Sequence, residues 1–462
     1  MEFQSLPFLL FFPAVALTCW LLPRGWRNAF MLVVSLAFYT MWRPLASVFL
    51  LWMIGVSWMA AHAVDAQAGH RKRWLWGSIV MMIAPLAFFK FLTGINEALL
   101  AAKRATGWCI DFKGLNWAIP AGLSTYSLQA VSYVFDVYKR RVPREPSLLN
   151  HALYLSFFPT VMSGPLNRSF DLMPQLREQR LGFDPSLVGS GARMLVWGMF
   201  LKVAVADRFA IYTNSVFSNP DMYNGLTIAF ALICFIFELY CDFAGYSCIA
   251  IGLGRLLGVR IKDNFRRPFF AMGIGEIWHR WHIALSGWLR DYVYIPLGGS
   301  RCSRWCNVRN VMVTFFVSGM WHGGTLPFFL WGFCQGVCVS AEQFLPMKWM
   351  RNHAITRIPM TILSVMVFGL LFVFFQDTWD QLLVGMFTRW GPWHLRLPVH
   401  MAGVLTTMAV MAVIVLAKDA NDEFHLLRTP PRWVSLVFYV LIVLVILLEG
   451  VFDAGQFIYV RF

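Results

Sequence analysis

Charge is what this sequence has least of. Asp, Glu, Lys and Arg make up 14% of its 462 residues, where soluble domains carry about 25%. Hydrophobic residues reach 58%, against the roughly 45–50% of soluble domains. A soluble fold of this length could bury a large core, but too little charge would remain to cover its surface. The chain also lacks low-complexity tracts, fixed-period repeats and long linkers, so a single membrane domain over 1–462 is expected. It lacks a Gly-x-Ser-x-Gly elbow, a P-loop and a dinucleotide fingerprint. The stretch Gly252-Leu-Gly-Arg-Leu-Leu-Gly258 has one residue too many before its last glycine to be one. Acidic residues are scarcer than basic ones, 24 against 39, for a net charge of +15. The basic residues are scattered among short loops and form no single patch, which argues against nucleic acid as a partner.

Nine cysteines are present, but they form no disulfide framework. Cys234, Cys241 and Cys248 lie in or beside apolar runs, where cysteine packs as a small hydrophobe. Cys302 and Cys306 have a spacing that is only a weak metal signal, and Cys334 and Cys338 share one face of an apolar helix. No bound metal is expected. A cleavable leader is not expected either. Glu2 precedes the first apolar run, and no Lys or Arg does.

What is abundant is apolar sequence in long runs. A helix crossing the hydrocarbon needs about 20 mostly apolar residues, and by that rule about eleven spans are expected. They are Leu6–Leu22, Ala29–Trp42, Leu45–Val64, Trp74–Leu92, Trp117–Val137, Leu187–Ala206, Leu226–Cys248, Val311–Ser340, Pro359–Phe375, Met401–Ala417 and Trp433–Val451. Several contain Gly, Pro or polar residues, so broken, re-entrant or short interfacial helices are expected among them. The fold class is therefore an all-α polytopic membrane protein, with the lipid bilayer as its first partner. Arg24 and Arg27, Arg71-Lys72-Arg73, and Lys139-Arg140-Arg141 with Arg144 alternate with less basic loops. The positive-inside rule then puts the N-terminus outside and the C-terminus in the cytoplasm.

The middle of the chain, Ile119 to Phe333, mixes apolar runs with Pro, Gly, charges and histidines. Ionisable groups at membrane depth are tolerated where protein or a water-filled cavity surrounds them, so a pocket or tunnel is expected there. Three constellations stand out. In Glu238-Leu-Tyr-Cys-Asp242-Phe-Ala-Gly-Tyr246-Ser247, the two carboxylates share a helix face. They either shape a pocket or pair structurally with an arginine such as Arg266 or Arg267. In Trp278-His279-Arg280-Trp281-His282, continuing to Arg290-Asp291-Tyr292, tryptophans interleave with basic residues, as at a membrane interface. Arg280 and Arg290 suit phosphate groups of an anionic donor, and His279 and His282 could face one way on a helix. The same cluster could equally be an interfacial helix without a ligand. In Ser318-Gly319-Met320-Trp321-His322-Gly323-Gly324, a histidine sits inside an apolar run. A lone histidine there is ordinarily a packed core residue. The surrounding glycines, however, weaken the helix and allow close approach, and a buried neutral imidazole is a proton acceptor.

These residues carry a resemblance. Trp281-His282-Ile-Ala-Leu-Ser-Gly-Trp-Leu-Arg290-Asp291-Tyr292-Val-Tyr-Ile-Pro296-Leu-Gly298-Gly299 is similar to the signature of membrane-bound O-acyltransferases. Trp321-His322-Gly323 resembles the family's second histidine motif. Glu238–Ser247, Pro120–Gln129 and Phe158–Pro165 resemble three further segments, all in family order. Within the family, the chain resembles the bacterial branch serving alginate and cellulose acetylation. Pro165-Leu-Asn-Arg168 and Gly273-Ile-Gly-Glu276 depart somewhat from the alginate pattern. Relatives that modify peptidoglycan or teichoic acid share the motifs, so the acceptor stays open.

The resemblance implies a ring of helices around a central funnel, with a catalytic core at about 119–333. It implies His322 as the catalytic histidine and His282 as the second active-site histidine. Trp321, Arg290, Arg280 and Asp242 then line the substrate site. No bound cofactor is implied. Acetyl-CoA is the implied cytoplasmic donor, and the acetyl group passes across the bacterial inner membrane towards an exopolysaccharide. A periplasmic acetyltransferase of a polysaccharide synthesis and secretion complex is the implied partner. A transporter of an acyl group or carrier, with Glu238 and Asp242 as coupling residues, is the competing reading. It lacks the inverted halves that many transporters show.

Overall fold

The computed structural model describes residues 3–42, 44–66, 69–96, 99, 117–162, 164–391, 401–420 and 432–452. Among them every regular element is helical. The expected apolar runs coincide with helices: Leu6–Leu21, Arg24–Trp42, Ala46–Ala66, Arg71–Lys90, Leu123–Tyr138, Gly225–Leu256, Met401–Ala420 and Arg432–Glu449. Three runs are interrupted. The 187–206 run is an α-helix to Met199 and then a π-helix over Phe200–Ala206. The 311–340 run splits into Arg304–His322 and Leu326–Ala341, parted at the two glycines after His322. The 359–375 run continues Ala354–Leu370 as a tighter 3-10 turn over Leu371–Phe375.

By length and composition, Ala46–Ala66, Gly225–Leu256 and Ala354–Phe375 can cross a membrane. Leu6–Leu21, Leu405–Leu416 and Leu436–Glu449 are shorter apolar helices. Large apolar side chains point outward along such segments, among them Leu10, Leu17, Ile362, Leu363, Leu436 and Leu447. An outer surface of this kind suits hydrocarbon rather than water.

The chain divides into two compact units. The first comprises Met1–Ala192, Ala250–Lys262 and Met320–Leu326. In it, Ala46–Ala66, Arg71–Lys90 and Leu123–Tyr138 pack on one another. Phe8, Phe38 and Phe158 form an aromatic cluster at the near end of Leu6–Leu21, with Phe38 and Phe158 centroids 5.4 Å apart. Two buried polar pairs lie within it: His151 Nε2 is 2.8 Å from Ser57 Oγ, and Arg177 pairs with buried Glu145 at 2.5 Å.

The second unit comprises Arg193–Ile249, Asp263–Gly319 and Pro327–Phe462. Its core is aromatic. Trp278, Trp281, Trp331, Phe368 and Phe372 meet largely edge to face, with Trp278 and Trp331 centroids 5.7 Å apart. Such pairs add to the area they bury. Trp278 Nε1 donates to Gln335 Oε1 at 3.1 Å, so the ring is buried without losing its hydrogen bond.

Candidate active site

His322 is the last residue of the Arg304–His322 helix and is 5% exposed. The last carbonyls of a helix have no partner within it. Here Lys90 Nζ donates to the His322 carbonyl at 2.7 Å, a cation placed at the negative end of the helix dipole. The backbone replies in kind: Gly324 N–H donates to the Lys90 carbonyl at 3.2 Å. A Cβ on Gly324 would sit 2.6 Å from the Phe91 ring and 2.7 Å from the Lys90 carbonyl oxygen. Gly324, the second glycine after the histidine, is thus required by contact with the end of the Arg71–Lys90 helix. Trp321 is half-buried, and its ring meets His322 edge-on at 4.7 Å.

Asp242 and Glu238 lie on the Gly225–Leu256 helix and are buried. The expected arginine partner is corrected by the structure: the cation is Lys202. Its Nζ donates to Asp242 Oδ1 at 2.6 Å and to Asp207 Oδ1 at 2.7 Å, with the lysine side chain fully buried. Lys202 belongs to the π-helix, whose extra residue per turn re-aims side chains and recurs at functional sites. It also sits 5.5 Å over the Tyr246 ring. Glu238 accepts a short hydrogen bond from Thr213 Oγ1. Sequence reading missed Lys202 and Asp207. A lysine inside the apolar 187–206 run was the available signal, because buried lysine requires a partner.

Gly245 meets Gly198 where the two helices cross: a Cβ on Gly198 would lie 2.7 Å from the Gly245 carbonyl oxygen. Small residues allow that approach, and the approach lets Lys202 reach Asp242. Phe243 stands edge-on to the His282 ring at 4.5 Å. Ser247 Oγ accepts from Asn264 Nδ2 at 3.1 Å.

Asn264 carries the chain on to His282. Its Oδ1 accepts the Ala284 N–H at 3.1 Å and lies 3.2 Å from His282 Nδ1. Since the amide nitrogen faces Ser247, the oxygen faces the histidine, and Nδ1 is therefore the donor. The neutral ring then keeps its lone pair on Nε2. His282 is buried, and desolvation pushes its pKa down from 6.5 to about 3. Its backbone φ is +43°, a left-handed conformation uncommon for a residue with a side chain and typical of constrained sites.

That φ separates His282 from the preceding helix, Ile274–Arg280. The expected sharing of one helical face by His279 and His282 is corrected accordingly: His279 is exposed and His282 is buried. Arg280 pairs with Glu276, which also holds Arg351 at 2.8 Å. Arg290 opens a π-helix over Arg290–Tyr294, is about half exposed and pairs with Asp291 at 2.8 Å. Glu342 clamps the start of Ile274–Arg280 by accepting the N–H groups of Ile274 and Gly275.

The Cys302 and Cys306 thiols share the Asn310 amide, at 3.7 and 3.9 Å. Among the described residues no set of three or more His, Cys, Asp or Glu side chains is placed to hold a metal. His322 and Trp321 belong to the first unit, and His282, Asp242, Arg280 and Arg290 to the second.

The profile of MBOAT, the membrane-bound O-acyltransferase family, matches residues 123–378. A probable alginate O-acetylase of Pseudomonas aeruginosa is 31% identical over 450 residues, covering 92% of this chain and 82% of its own. A peptidoglycan O-acetyltransferase of Helicobacter pylori is 27% identical, covering 78% of this chain and 70% of its own. A teichoic acid D-alanyltransferase of Bacillus subtilis is 25% identical, covering 50% of this chain and 60% of its own.

Proposed function

The chain belongs to the membrane-bound O-acyltransferase family of acyltransferases, and on that premise we propose that it is an O-acetyltransferase of exopolysaccharide synthesis. It sits in the bacterial inner membrane as about eleven helices around a funnel, with the N-terminus periplasmic and the C-terminus cytoplasmic. Acetyl-CoA supplies the acyl group from the cytoplasm. A hydroxyl of alginate or cellulose receives it, directly or through a periplasmic acetyltransferase partner.

The His322 imidazole takes the proton of the attacking hydroxyl as its oxygen bonds to the acetyl carbonyl carbon. The carbon–sulfur bond breaks, an ester forms, and the proton leaves with the thiolate as coenzyme A thiol. General-base action of this kind contributes typically about 10²–10⁴-fold. Neutral His282, its Nδ1–H donated to Asn264, offers Nε2 as a hydrogen-bond acceptor to substrate. Trp321 packs against the base. Exposed Arg290 and Arg280 attract the phosphates of the donor.

The observation that carries this reading is the 31% identity with an alginate O-acetylase across 92% of the chain. The peptidoglycan and teichoic acid enzymes are more distant, at 27% and 25%. The test is acetyl transfer from radiolabelled acetyl-CoA by the purified full chain in proteoliposomes, with alginate or acetyl-free cellulose oligosaccharides and the partner as acceptors. His322→Ala should fold and lose transfer by about a hundredfold or more. Full activity in that variant would refute the assignment of the base. Carrier movement without turnover of acetyl-CoA would favour the transporter reading instead.

A further inference from the structure

Beside the turn from Leu6–Leu21 into Arg24–Trp42 lies a cavity of about 310 Å³. Its walls carry four arginines, Arg24, Arg27, Arg180 and Arg260, and two carboxylates, Glu178 and Asp184. The backbone is shaped to hold one of these arginines in place. Arg27 donates to the carbonyls of Leu22 at 2.8 Å, Leu181 at 2.7 Å and Trp20 at 3.2 Å. Gly182, at φ +139°, leaves room for its guanidinium, which a Cβ would strike. Gly258, at φ +86°, packs under the Gly182 carbonyl.

Glu178 is taken by Arg180 at 2.5 Å, and Asp184 accepts from the Ser186 N–H and hydroxyl. Arg24 and Arg260 are exposed, and among the described residues neither has a carboxylate within ion-pairing distance. The cavity therefore presents guanidinium groups in excess, the donor set that suits phosphate oxygens.

The rim identifies the source of that phosphate. Phe183, which lines the cavity, is 55% exposed, and Leu21 and Trp26, flanking the Leu22–Arg24 turn in sequence, are 86% and 68% exposed. Leu6, Leu10, Leu17 and Leu21 recur at helical spacing on the exposed side of the helix that ends there. A soluble phosphate has no use for an aliphatic strip. A lipid has, since its acyl chains lie along leucines while its headgroup reaches arginines at the interface. We propose that this cavity is a binding site for the headgroup phosphate of an anionic phospholipid.

The proposal rests on the membrane reading alone, so its test reads lipid binding and not acetyl transfer. The full chain is purified into phosphatidylcholine nanodiscs, and phosphatidylglycerol is titrated in while bound lipid is counted by native mass spectrometry. Wild type should retain phosphatidylglycerol selectively over phosphatidylcholine. Arg24→Gln/Arg260→Gln should weaken that retention about thirtyfold, and either single change about fivefold. Arg73→Gln, outside the cavity, should leave it unchanged. Both cavity arginines are exposed, so their replacement leaves the core intact, and the single variants serve should the double variant fail to purify. Equal retention of the two lipids, or retention unchanged in the variants, would overturn the proposal. So would displacement of phosphatidylglycerol by inorganic phosphate or coenzyme A, which would reassign the cavity to a soluble ligand.

Discussion

Lys90 Nζ holds the main-chain carbonyl of His322, 232 residues further along, at 2.7 Å. The contact fixes the backbone of the proposed base rather than its ring. It joins the end of one apolar helix to the break in another, where Gly324 returns a hydrogen bond to the Lys90 carbonyl. A proton acceptor must be within hydrogen-bond reach of the proton it takes, so backbone placement at this point governs its chemistry.

Replacing Lys90 with Met keeps the bulk and removes the donor. The His322 carbonyl would lose a charged partner, at about 1–3 kcal/mol. Acetyl transfer should fall at least tenfold while His322 remains, and Lys90→Arg should recover part of it. Rates measured in proteoliposomes check this, and a Lys90→Met protein with wild-type turnover would contradict it.

Gly324→Ala tests the same joint from the backbone side. Its new methyl would press on the Phe91 ring and the Lys90 carbonyl, and overpacking costs typically about 1–3 kcal/mol. The melting temperature should drop together with transfer. An Ala variant that melts and turns over like wild type would show that the two segments part readily.

Lys202 holds the second unit by a different means. Removing one partner of a buried ion pair strands the others, at a cost of about 3–5 kcal/mol. Lys202→Met should therefore destabilise the protein strongly. Lys202→Met combined with Asp207→Asn and Asp242→Asn should be milder than the single change, since no charge is left unpaired. Thermal unfolding in detergent compares them. Additive losses would mean that the three groups do not act as one network.

His282 predicts a pH dependence of stability. Burial depresses its folded pKa from 6.5 to about 3. The unfolded chain therefore binds the proton more readily between those values. The stability tied to the neutral ring is fully present above pH 6.5 and declines as pH falls towards 3, by at most about 1.4 kcal/mol per pH unit. His282→Gln lacks that term. The gap in melting temperature between wild type and His282→Gln should narrow from pH 7.5 to pH 5. A gap that stays constant would show that His282 is protonated without penalty.

Much of the architecture is legible in composition and hydropathy. Runs such as Leu45–Val64 and Leu226–Cys248 became the helices Ala46–Ala66 and Gly225–Leu256, because an apolar helix must satisfy its own backbone hydrogen bonds wherever water is absent. The interruptions were legible only in kind. The two glycines after His322 announced a weak point. That the weakness is a close fit against Lys90 and Phe91 depends on a helix far away in sequence. The Cys302–Cys306 spacing shows the same limit, since a shared asparagine, not a metal ligand, faces both sulfurs.

By itself the sequence determined that this is an apolar, helical membrane chain, and it singled out Trp321-His322, the Trp281-His282 segment and the acidic helix as the candidate sites. Scarce charge, long apolar runs and polar residues within them are local properties, readable one segment at a time. Only the tertiary structure decided which groups complete them: Lys202 rather than Arg266 or Arg267 for Asp242, Asn264 for His282, and Lys90 for the backbone of His322. Buried polar groups need partners, but hydrogen bonds and ion pairs are made across space, and no spacing along the chain records which segment will supply them.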